Sequence, residues 1–95
     1  MNLQTFYEYV QEQKENGLIK FDATTEIDEY GNFNVVKSKC TYSVETETEA
    51  DALINDFRKQ DEFVGCDKKY KQGKMNKAGE VVRPDQYLVV IKVAY

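Results

Sequence analysis

Between Gly17 and Glu45 the chain reads LIKFDATTEIDEYGNFNVVKSKCTYSV, residues 18–44. Its first part, residues 18–28, alternates. Ile19, Phe21, Ala23, Thr25 and Ile27 point one way, and Lys20, Asp22, Thr24, Glu26 and Asp28 the other. Period two with one polar row is the pattern of a half-buried strand. Glu29-Tyr30-Gly31-Asn32 supplies a turn, since Gly and Asn tolerate positive φ. Residues 33–45 return as a second strand, with Val36, Ser38, Cys40, Tyr42 and Val44 inward and Lys37, Lys39, Thr41 and Ser43 outward. Pairing Asp28 with Phe33 sets Asp22 opposite Lys39, Thr24 opposite Lys37, Phe21 opposite Cys40 and Ile19 opposite Tyr42. Both faces agree with that register. Phe33 and Val35 fall out of phase with the inner row, which predicts a bulge near Val35-Val36.

Helical patterns flank this hairpin. Leu3, Phe6, Tyr7 and Val10 share one face of a helix over 3–15, with Asn2 as a cap and Asn16-Gly17 as a stop. Residues 48–60 carry a second stripe of Ala50, Leu53, Ile54 and Phe57. Thr46 or Thr48 caps it, and Glu47, Glu49 and Asp51 suit its positive end. A third strand follows over Phe63 to Tyr70. Residues 72–85 have little periodicity and read as a loop. The last strand, Gln86 to Tyr95, has Tyr87, Val89, Ile91, Val93 and Tyr95 on one face and Leu88, Val90 and Ala94 on the other. A strand apolar on both faces belongs in the middle of its sheet. The expected fold is α+β, order α-β-β-α-β-β, with two helices on one face of a four-stranded, mainly antiparallel sheet. That order is what circular permutation of a ferredoxin-like β-α-β-β-α-β unit would give.

The 95 residues suit one domain, 1–95, with one small core. There is no histidine, which excludes Ser-His-Asp or Cys-His catalysis and a His-ligated metal within this chain. No cofactor motif is present. Most carboxylates sit in outward phase, where they stay ionised, so a non-enzymatic role is expected. The run Tyr87 to Ile91 is far short of a membrane span. Met1-Asn2-Leu3-Gln4 has no signal-peptide character, so the expected location is cytoplasmic. Cys40 and Cys66 fit no redox or zinc spacing; they read as small buried hydrophobes, with a mutual disulfide the alternative.

Three features point to partners. Residues 45–62 are dense in carboxylates, and Glu47, Glu49, Asp51 and Asp56 line the second helix. Such a helix can imitate a phosphate backbone, a device of small inhibitors from phages and mobile elements. It is also what a solvated helix with a favourable N-terminal charge looks like. Tyr30 and Phe33 place two aromatics at one turn, and aromatics anchor interfaces. Third, residues 1–67 hold fifteen acids and six bases, whereas 68–95 hold two acids and seven bases. Lys68, Lys69, Tyr70, Lys71, Lys74, Lys77 and Arg83 make residues 68–83 a candidate phosphate-binding loop with a stacking aromatic. The same lysines also suit a loop that protects a sheet edge. The main expectation is a protein-binding module, a regulator or inhibitor, working through the acidic helix and the aromatic turn; nucleic-acid binding by 68–83 is the alternative. The chain is expected to be a monomer, or a homodimer formed by the last strand if that strand lies at an edge.

Overall fold

The computed structural model describes residues 1–95. Two α-helices, α1 (Leu3–Glu15) and α2 (Glu47–Arg58), lie on one face of an antiparallel sheet. Its strands are β1 (Leu18–Ile27), β2 (Phe33–Val44), β3 (Phe63–Lys71) and β6 (Gln86–Ala94), in the order β1-β2-β6-β3. The α+β architecture and the element order are as expected. β2 and β3 are both antiparallel to β6, so they run parallel to each other with β6 between them. This is a split β-α-β around α2.

The expected loop at 72–85 instead holds a small ribbon, β4 (Lys74–Met75) paired with β5 (Val81–Arg83). Side-chain periodicity cannot show two- and three-residue strands. The turn between them is built locally: Asn76 Oδ1 accepts from the amides of Ala78 (3.0 Å) and Glu80 (2.9 Å), and Gly79 adopts φ 81°. β6 is central, so both its edges are already paired, and it cannot extend a sheet across a dimer. The free edges belong to β1 and β3.

The hairpin register holds in its middle and shifts at both ends. Phe21 pairs with Cys40, Asp22 with Lys39 and Thr24 with Lys37. A bulge at Val36 then sets Thr25 against Val35 and Ile27 against Phe33, in place of Asp28 against Phe33. Val35, rather than Val36, is fully buried; its amide donates to the Met1 carbonyl at 2.7 Å. A second bulge at Ile19 sets Leu18, not Ile19, against Tyr42. Leu18 is buried and Ile19 exposed. The outer half of β1, an edge strand, also stays exposed, including Ala23, Thr25 and Ile27. The molecule is elongated, 61 Å long against 24 and 17 Å across.

The core joins Phe6 and Val10 of α1, Ala50, Ile54 and Phe57 of α2, and the rows Cys40–Ile91 and Tyr42–Val89 of the sheet. Tyr9, not Tyr7, completes the α1 stripe: Phe6, Tyr9, Val10 and Gln13 face inward, while Tyr7 is exposed. The reason is Tyr42. Its buried hydroxyl donates to Gln13 Oε1 at 2.9 Å, so the helix rotates a polar acceptor into place. Burial pushes the Tyr9 hydroxyl up to about 12 and raises that of Tyr42 as well. Asn2 and Thr46 cap the helices, accepting from the amides of Thr5 (2.7 Å) and Glu49 (3.2 Å).

Candidate functional site

The β1–β2 turn is an ordered structure rather than a slack tip. Asp28 Oδ1 accepts from the amides of Tyr30 and Asn32, each at 2.9 Å, and Oδ2 from Asn34 Nδ2 at 3.1 Å. The Asp28 amide donates to the Asn32 carbonyl, and Gly31 takes φ 82° to close the turn. The hydrogen bond from the Asn32 amide, with those from Asn34 and Tyr30, holds the Asp28 carboxyl below the usual carboxylate range. On this frame stand Tyr30, 82% exposed, and Phe33, 51% exposed. Ile27 (64%) and Tyr7 (49%) are exposed beside them, and a cleft lined by Leu3, Tyr7, Phe33 and Asn34 runs from the turn to the start of α1. Ile27 and Tyr7 were not legible as members of this patch. A strict alternation puts Ile27 in the core, and a helical wheel puts Tyr7 there.

The acidic residues of α2 divide into two sets. Glu47 and Asp51 hold the Lys68 ammonium at 3.1 and 2.9 Å. Asp51 first, and Glu47 with it, raises the Lys68 pKa above its ordinary value. Glu49 and Asp56 stay free of that contact and rim a shallow cleft with Val44, Ala52 and Leu53. Neither set adjoins the aromatic turn. Lys68 sits in the row of Val89 and Tyr42, and Tyr42 is nine residues along β2 from Phe33, roughly 30 Å. The acidic helix and the aromatic turn are therefore two separate candidate surfaces.

The basic residues of 68–83 are divided as well. Lys68 and Tyr70 point to the helix side of β3; Lys69 and Lys71 alternate to the other face. Tyr70 packs its ring on Tyr87, centroids 5.2 Å apart, and Asp85 beside its hydroxyl raises its pKa. It is not poised to stack a base over the lysines next to it. Lys74, Lys77 and Arg83 lie on the β4–β5 ribbon and the turn that closes it, where the Arg83 guanidinium donates to the Gln72 carbonyl at 3.0 Å. The seven residues thus form no common surface.

Lys69 and Lys71 do have neighbours, drawn from elsewhere in the chain. Register places Lys20, Lys37, Lys39 and Lys92 on the same uncovered face of the sheet. Outward phase in residues 18–45 already pointed to the first three; only the strand order brings Lys92, Lys69 and Lys71 beside them.

Both cysteines are free thiols. Each pairs with Ile91, one from either side, so they stand two strand spacings apart, about 10 Å, too far for a disulfide. Burial raises the Cys40 thiol. No helix is long and apolar enough to cross a membrane. The chain matches no protein-family model, no curated protein and no solved structure.

Proposed function

We propose that the chain is a non-enzymatic protein-binding module, a regulator or inhibitor of its partner, that docks through the β1–β2 turn. The observation that carries this is the pairing of a rigid turn with exposed aromatics. Three hydrogen bonds to one carboxylate order the backbone under Tyr30, and an ordered tip gives up little conformational entropy on binding. Tyr and Phe are the side chains that anchor interface cores. The acidic face of α2 at Glu49 and Asp56 is a separate, weaker candidate, because Glu47 and Asp51 already have their countercharge within the chain. Two unpaired thiols fit a reducing compartment such as the cytoplasm.

The test is site-specific photocrosslinking in extract of the source organism. A crosslinker at Tyr30 should trap a discrete partner, lost when Phe33 is replaced by Ala, while one at Lys14 traps none. Crosslinking at Glu49 but not at Tyr30 would move the docking site to α2. No adduct from either position would overturn the reading.

A further inference from the structure

The sheet has a second face with no helix on it. On the covered face α2 shows how this sheet receives an acidic amphipathic helix. Ala50, Ile54 and Phe57 join the core with Val89, Ile91 and Val93, and Glu47 and Asp51 reach a lysine at the flank, Lys68. The uncovered face repeats that pattern outward. Leu88 and Val90 of β6 form a half-buried apolar patch at its centre, with half-buried Ala94 beyond Lys92 in the same row. Lys37 and Lys39 on β2 stand beside its Ala94 end, and Lys69 and Lys71 on β3 beside its Leu88 end. Lys20 and Lys92 add to the positive charge, against which the face sets Asp22, Glu26 and Asp67. Asp67 is 3.9 Å from Lys92. Val64, thrown out at the β3 bulge and 64% exposed, extends the apolar line, and a shallow cleft joins it to Lys37, Lys39 and Lys92.

From this charge and shape we infer that the uncovered sheet face is a docking site for an acidic amphipathic helix of a partner protein. The helix lies along β6, its apolar stripe on Leu88, Val90 and Ala94, and its carboxylates toward Lys37, Lys39 and Lys92 at one end and Lys69 and Lys71 at the other. The nine residues of β6 span about 30 Å, the length of an α-helix of about twenty residues. An apolar centre inside a charged rim is the anatomy of a protein interface. A bare phosphate backbone would use the lysines and leave Leu88, Val90 and Val64 idle, and this face offers no aromatic on which a base could stack. The site is independent of the aromatic turn.

The probe is a stapled, helical 18-residue peptide with a leucine stripe flanked by glutamates, titrated into the ¹⁵N-labelled chain. Amide shifts should concentrate at Lys39, Val90, Lys92 and Lys69, with binding weakened by salt. The double variant Lys39→Glu/Lys69→Glu should bind about tenfold or more weakly. Val64→Asp, at an exposed position, should weaken binding without touching a lysine, and a well-dispersed spectrum shows that each variant is folded. Tyr30→Ala should leave peptide binding unchanged; it tests the turn alone. Shifts confined to another surface, or equal affinity for the charge-reversed variant, would overturn the inference. So would tighter binding of a 20-nucleotide single strand or duplex to this face, or sedimentation showing the face closed by a second copy of the chain.

Discussion

On β6, Val89, Ile91 and Val93 point toward the helices and are buried, whereas Leu88, Val90 and Ala94, interleaved with them, are only half covered. The residue types are nearly the same on the two faces. What differs is the company: one face meets helix α2, the other meets lysine stems and water. Burial is therefore decided by what the rest of the chain lays over a strand, and an apolar row left uncovered is surface held ready. The charges follow the same division. Glu47 and Asp51 of α2 sit on the covered side, where they meet Lys68, while six lysines sit on the bare side with Asp22, Glu26 and Asp67. A net charge of −4 conceals this polarity.

The contrast between the faces can be broken by mutation. Ile91→Ala opens a cavity under α2 and should cost about 2–5 kcal/mol in denaturant unfolding. Val90→Ala, one residue along, should cost under about 1.5 kcal/mol, since its side chain is already in contact with solvent. Equal losses would mean that the second face is covered in solution.

The next largest effect tests how α1 is joined to the covered face. Gly17 has φ 96°, and a Cβ there would stand 2.7 Å from the Ser43 carbonyl oxygen, while its own carbonyl accepts from the Ser43 amide. Gly17→Ala should destabilise by more than about 1 kcal/mol, where an ordinary loop glycine would tolerate the change. Thr46→Ala removes the cap of α2 and should cost about 1 kcal/mol; Thr48→Ala, inside the helix, should cost less. Both are read from unfolding midpoints at unchanged slope.

The smallest effect concerns the exposed turn. The folded Asp28 carboxyl titrates below its ordinary value of 3.8, so its contribution is complete at neutral pH and is lost as pH falls below that value through the folded pKa. The Tyr30 and Asn32 amides should therefore shift together in an acid titration followed by NMR, with little loss of global stability. In Asp28→Asn that titration step should vanish. A step that persists in the variant would assign it to another carboxylate.

Much of this fold was legible from local rules. Asn2 and Thr46 announce two helix starts because a short polar side chain is the natural acceptor for the first free amides. The middle of the hairpin was legible because Asp22–Lys39 and Phe21–Cys40 satisfy both faces at once. The bulge near Val36 showed as a slip of phase. The ends were not legible. Ile19 and Tyr7 both fit an apolar periodicity and both lie outside, because a second bulge and the demand of the buried Tyr42 hydroxyl reset the phase. The candidate site was legible residue by residue at Tyr30 and Phe33, but not as a surface.

Sequence alone thus determined the two helices, the four long strands and their order along the chain, because periodicity, capping and turn chemistry act over a few residues; the two apolar faces of β6 pointed toward the middle of the sheet without fixing the strand order. Only tertiary structure decided which face of β6 the helices take, that Lys68 turns inward to Glu47 and Asp51 while Lys69 turns away, and that lysines from residues 20 to 92 gather on one surface. Those outcomes depend on strand order and register, which bring together residues far apart in the chain, and no local pattern encodes them.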